Sequence, residues 1–307
     1  MTTRVSSARS REQVWPALPL AEWSATYETL HMWTQIVGKV RLALSPFENQ
    51  WWQVPLYVSA RGLTTSAIPY ARGIFEIEFD FIDHVLRIST CEGEVKKLQL
   101  APRSVADFYA EFMPALRSFG IDVKIWPMPV EVRNPIRFEK DTVHASYDPE
   151  CAHRLWRILQ SASVVMKEFR GKFIGKASPV HFFWGSFDLA ATRFSGRRAP
   201  ERPGADKVTK IAYSHEVISA GWWPGGGEIT EPMFYAYAAP EPTGFGARTV
   251  RPTQAFYDSK MSEFLLPYDA VRQASDPRSA LTEFLQSTYE AGATLGNWDR
   301  AALEGTY

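Results

Sequence analysis

The chain has 307 residues, 45% of them apolar and 22% charged, an ordinary soluble composition long enough for one large domain or two smaller ones. Its 34 basic residues equal its 34 acidic ones, which leaves no excess to neutralise phosphates and argues against nucleic acid as a partner. Two cysteines, Cys91 and Cys151, make no disulfide framework, no apolar run approaches the ~18 residues of a membrane span, and the polar start lacks a signal-like stretch, so a cytoplasmic protein with no membrane contact is expected.

In chain order, residues 1–14 are polar and read as loose. The spacing of Trp23, Tyr27, Leu30, Trp33, Thr34 and Val37 predicts a helix over 21–37 with one apolar face, stopped at Gly38. Aromatic and β-branched residues predict a strand over 51–60. The alternation of apolar and acidic residues over 74–82 predicts a half-buried strand, and Asp83-His84 turns it into a hairpin with 85–89. A strand over 95–100 follows. Ser104 and Asp107 resemble a capping box for a helix over 105–119 closed by Gly120, and 121–126 reads as a short strand. The proline-rich stretch 127–149 reads as a connector.

The second half predicts a helix over 150–170, a long apolar strand over 180–194, a surface loop over 195–208 and a strand over 209–222. A turn at Trp223–Gly227, a strand over 233–239, a strand-like run over 264–271 and a helix from Asp276-Pro277 to about 293 complete it.

Two stretches share an uncommon set of residues. Gly38-Lys39, Ser45-Pro46, Trp52 and Arg61 are matched by Gly171-Lys172, Ser178-Pro179, Trp184 and Arg193, and Pro102-Arg103-Ser104 is matched by Pro277-Arg278-Ser279. This predicts an internal duplication of a helix–antiparallel strands–helix unit, hence an α+β fold with repeats at 15–126 and 150–303 joined by the connector. Paired copies would set their sheets edge to edge.

The strings Trp15-Pro-Ala-Leu-Pro-Leu20, Leu30-His-Met-Trp-Thr-Gln-Ile-Val-Gly-Lys39, Arg61-Gly-Leu-Thr-Thr65, Ser178-Pro-Val-His-Phe-Phe-Trp-Gly-Ser-Phe-Asp-Leu189, Tyr213-Ser-His-Glu-Val217 and Trp223-Pro-Gly-Gly-Gly227 together resemble DUF5996, a family of uncharacterised bacterial proteins. The resemblance covers roughly 15–303 and implies no activity, cofactor or site residue. The order of elements is also similar to that of the TATA-box-binding protein or of a doubled helix-grip domain, an analogy of fold alone.

Aromatic residues are 14% of the chain, with eleven tryptophans, which suits either a thick core or a lined pocket. Within the apolar run 180–194, Asp188 is a carboxylate that needs a partner. It reads either as a structural acid tied to an arginine or backbone amides, or as a general base at a pocket. In a continuous strand it shares a side with Trp184, whereas His181 faces the other way. Tyr213-Ser214-His215-Glu216 offers hydroxyl, imidazole and carboxylate, although neighbours on a strand point oppositely. Lys39 and Lys172 read as helix-end caps or as anion ligands. No His-x-x-x-His or Cys-x-x-Cys spacing, phosphate loop or nucleophile elbow occurs, so neither metal nor cofactor is expected.

The expected catalytic set is Asp188, His215 and Glu216, and the expected ligand-binding set is Trp184, Arg193, His181 and Trp222. The expected function is binding of a small organic ligand in an aromatic pocket of the second half, with or without cofactor-independent catalysis. The alternative is a non-catalytic module that binds a protein on a concave sheet. Nothing in the sequence sets the oligomeric state.

Overall fold

A computed structural model describes residues 11–305 of the chain, so the expectation for 1–10 lies outside it. A short helix α1 (Arg11–Val14), where a loose start was expected, leads into the long helix α2 (Leu20–Leu44). Six strands follow: β1 (Tyr57–Val58), β2 (Gly62–Thr64), β3 (Ile68–Tyr70), β4 (Gly73–Asp80), β5 (Val85–Thr90) and β6 (Val95–Gln99). They form an antiparallel sheet in the order β1-β2-β4-β5-β6, with β3 also paired to β4. Helix α3 (Val105–Ser118) closes this half, and an irregular segment runs on to α4 (Pro149–Gly171).

After α4 come β7 (His181–Phe183), β8 (Asp188–Arg198), α5 (Lys207–Ala212), β9 (His215–Trp223), β10 (Met233–Ala239), β11 (Phe256–Asp258) and β12 (Glu263–Pro267). The chain ends with α6 (Tyr268–Gln273), α7 (Pro277–Leu295) and α8 (Arg300–Leu303). The second sheet is also antiparallel, in the order β11-β12-β10-β9-β8-β7. The fold is therefore α+β. Among the described residues no helix is long and apolar enough to cross a membrane.

Local chemistry explains most of these elements. In β4, Phe75, Ile77 and Phe79 are buried while Glu76 and Glu78 face the other way, where Ser59 donates to Glu78 at 2.6 Å. Ser104 accepts from the Asp107 N–H at 3.0 Å and donates to its carboxylate at 2.6 Å, so the acid leans on the cap hydroxyl. Asp276 caps α7 through the N–H groups of Arg278 and Ser279, with Pro277 at the first helical position. The two sheets meet where Leu56 and Phe182 exchange backbone hydrogen bonds of 2.9 and 2.8 Å. Buried apolar side chains from both halves form one connected core.

Helix α2 departs most from expectation. It is buried on every side from Thr29 to Arg41, rather than along one face, and it runs past Gly38. Gly38 is needed for space: a Cβ there would overlap the Trp184 indole, whose N–H donates to the Val54 carbonyl at 2.9 Å. The Lys39 cap reading fails for the same reason, since Lys39 is inside the helix. Lys172 does cap α4.

Other expected strands are corrected. Residues 51–60 hold a 3-10 turn and only the two-residue β1, and 121–126 is irregular because no strand lies beside it. The run 180–194 is a hairpin that reverses at Trp184–Phe187, with Phe187 at φ +57°. Residues 207–212 are helical because Asp206 caps Val208 and Thr209 at 2.7 and 2.9 Å. β12 ends at Pro267, and α6 takes over.

Replacing Gly38 by Ala forces the Trp184 indole to move, an overpacking expected to cost ~1–3 kcal/mol in the urea midpoint. Gly171→Ala serves as the control, because a Cβ at Gly171 meets nothing within 4 Å, and its midpoint should not fall.

Candidate functional site

The second sheet has two unlike faces. One packs on α4 and α7 and carries Phe182, Leu189, Arg193, Ile218, Trp222 and Phe234. Arg193 is buried there, 3.5 Å from the Phe169 ring centroid and 4.3 Å from that of Tyr289, and it donates to the Phe169 carbonyl. Burial lowers its guanidinium to about 10. Trp222 is fully buried on this face beside Tyr268.

Asp188 lies on the opposite face, five residues along β8 from Arg193, and the hairpin at Trp184–Phe187 changes its relation to the residues before the turn. The pairing Phe183↔Asp188 and His181↔Ala190 puts Asp188 on the same side as His181. Its carboxylate accepts from the Ser186 hydroxyl and from the Tyr235 hydroxyl. Tyr235 reaches it from β10 across the intervening strand β9. It does so at Gly221, where a Cβ would strike both the Tyr235 hydroxyl and the Leu189 carbonyl. Glycine is thus required by close approach. Burial pushes the Asp188 carboxyl up despite the two donated bonds, and burial followed by Asp188 raises the Tyr235 phenol.

Tyr237 stacks beside Tyr235, with ring centroids 6.2 Å apart, and its hydroxyl meets that of Tyr213 at 2.9 Å. Ser219 and Thr192 extend the same row at 2.8 Å. Two further acids feel Asp188. Glu263, at the start of β12, is pushed up to about 7, first by burial, then by Asp188 and Asp258. Glu131, from the irregular connector, is raised by burial and then by Asp188. The residue is exposed overall, but its carboxyl tucks against Gly185 in the β7–β8 turn.

Above Tyr237 opens a cleft of about 460 Å³, bounded by Tyr213, Glu241, Met261, Ser262 and Glu263, with Arg202 at the rim. A second hollow of about 280 Å³ shares Arg202 and Tyr213 and adds Arg198 and Lys210. The Arg202 guanidinium lies 4.2 Å from the Tyr213 ring centroid and makes no ion pair among the described residues. The cleft therefore has a cationic end and a protonatable acid end. A carboxyl that titrates near neutrality beside phenols can give or take a proton. Among the described residues no group of three His, Cys, Asp or Glu is arranged to hold a metal ion.

The structure does not gather the expected site residues. Trp184 packs on α2, and Arg193 and Trp222 sit on the helix-covered face. His215 lies eight residues along β9 from the position opposite Asp188, about 26 Å of extended chain. Its Nδ1 meets the Ser214 hydroxyl at 3.1 Å, and its imidazole is lowered first by burial and then by Lys176 and Arg198. Glu216 is engaged by Ser195 and Arg197 at 2.8 and 2.7 Å. His181 shares the Asp188 face but is fully buried between Tyr57, Trp52 and Phe183. Burial, then Arg41 and Arg170, lowers it to about 3, so it stays neutral.

Sequence reasoning missed Tyr235, Tyr237, Glu263 and Glu131. The alternation Tyr235-Ala-Tyr237 in an expected strand was the available signal for two phenols on one face. Glu131 had none, because a connector carries no periodicity.

Asp188→Ala strands the Tyr235 and Ser186 hydroxyls and should cost about 1–3 kcal/mol at pH 7, with Asp188→Asn costing less, by chemical denaturation. Glu263 has a folded pKa above its unfolded value of 4.5, so the folded state binds more protons than the unfolded one in between. Stability should fall as pH rises from about 4.5 to 7. Glu263→Gln should remove that slope, worth on the order of 3 kcal/mol at most, in denaturation curves taken across this range.

No curated protein and no solved structure matches the chain. Residues 15–305 match the model of DUF5996, described as a family of unknown function. With nearly its whole length matched, the chain belongs to that family.

Proposed function

We propose that this protein binds a small organic acid in the cleft on the helix-free face of the second sheet. The observation that carries the reading is the pairing of unlike ends across about 460 Å³: Arg202 at the rim, without an ion pair among the described residues, and Tyr237 and Glu263 at the floor. A carboxylate or comparable anion would lie against Arg202, helped by Arg198 and Lys210 next door. The hydroxyl and carboxyl groups of the floor would hold a polar atom of the same ligand, and Glu263 would exchange a proton with it. Asp188 acts behind the floor by fixing Tyr235, which stacks on Tyr237 and holds its orientation.

The order helix, antiparallel strands, helix in both halves supports descent from one copied unit, with the second copy carrying the cleft. The matched arginines stand in different settings: Arg61 pairs with Asp80 and Asp83 near the surface, whereas Arg193 is buried.

A panel of small mono- and dicarboxylic acids, screened by native mass spectrometry and ranked by calorimetric titration, tests the reading. Binding should weaken tenfold or more in Arg202→Ala, the loss of about 1.4 kcal/mol, and should weaken in Tyr237→Phe. Failure of the whole panel to bind, or equal binding by Arg202→Ala, removes this cleft as the site.

A further inference from the structure

A second chemically unusual group lies away from the cleft, on α2. Lys39 is only 5% exposed, yet no ion pair of its ammonium is present among the described residues. Its Nζ instead sits 5.0 Å from the ring centroid of Trp126 and 5.7 Å from that of Trp184. Trp184 is held rigidly: its ring lies on Gly38 and its N–H is tied to Val54. Trp126 is the reverse. It belongs to an irregular segment and is 63% exposed, so a small swing of its indole uncovers the amine.

We propose that Lys39 is a covalent attachment point for a small neutral aldehyde or ketone, held as an imine between Trp126 and Trp184. The walls are apolar and carry no charge to receive an ionic substrate, which selects a neutral carbonyl compound. The flat imine would stack between the indoles. In the step, the amine lone pair adds to the carbonyl carbon, and the C=O π pair becomes the oxygen's. The nitrogen gives up a proton and the oxygen gains one. The C–O bond then breaks as the nitrogen lone pair forms C=N, the nitrogen gives up its second proton, and the oxygen, having taken up a second one, departs as water. Amine plus carbonyl gives imine plus water, with no oxidant or reductant.

Burial lowers Lys39 from 10.5 to about 8, which raises the free-amine fraction near pH 7 on the order of a hundredfold. The indole faces favour the ammonium by roughly 0.5–1 kcal/mol each, so both forms are populated. Limited access takes back part of the gain.

The test is reductive trapping of the full-length protein with propanal and cyanoborohydride at limited conversion, followed by peptide mapping. Lys39 should be alkylated about tenfold faster than the exposed Lys97 and Lys124. Lys39→Arg should abolish the fastest label. Should Lys39 react no faster than those two lysines, or should the fastest lysine label survive in Lys39→Arg, the proposal is overturned. If that variant fails to fold, the wild-type map decides alone.

Discussion

A helix buried on every side loses stability at each polar group left without a partner, and several on α2 find one. Thr26 and Thr29 accept from the N–H groups of Asp148 and Ser146. Gln35 clasps both backbone groups of Val130, at 2.8 Å each. His31 donates to the Gly185 carbonyl at 2.8 Å, and Arg41 donates to Gln53 at 2.6 Å. An orphaned buried polar group costs about 1–3 kcal/mol, so this set specifies where the connector and the β7–β8 turn must lie. Apart from a 3-10 turn at Phe138–Lys140, the segment 127–148 is irregular. Side chains of α2 satisfy four of its backbone groups, on Val130, Ser146 and Asp148.

The candidate site inherits its geometry from that arrangement. His31 anchors the turn at Gly185, Val130 anchors Glu131 beside it, and the turn delivers Asp188 to the face away from the helices. Gly221 then lets a phenol cross a whole strand to reach Asp188. An acid in such surroundings favours its neutral form, and the acids around it shift upward together. Electrostatics on this face therefore comes first from the burial of carboxyls and then from Asp188 acting on Glu263 and Glu131, while the helix-covered face holds Arg193 among aromatic rings.

Much of the local structure was legible. The alternation of β4, the caps at Ser104 and Asp276 and the hairpin of β4 and β5 follow from rules that act within a few residues. The misassigned faces have one cause. A strand count over 180–194 assumes a straight chain, and a tight turn without Asn-Gly or proline inverts every face assignment after it. That inversion moved Asp188 from the side of Trp184 to the side of His181. Gly38 misled for a related reason: it looks like a helix stop, but its function is to admit an indole from 146 residues further along the chain.

What the amino-acid sequence determined by itself is the class of structure: helices and antiparallel strands, capped and punctuated by short-range chemistry, within a recognisable family. Only the tertiary structure decided which side chains share a surface. The cleft draws on β10, β12 and the Arg202 loop, with Asp188 of β8 behind its floor, and the amine of Lys39 meets its two indoles from distant segments. Contacts of that kind depend on strand register and on close approach at Gly38 and Gly221, and neither leaves a periodic trace in one chain.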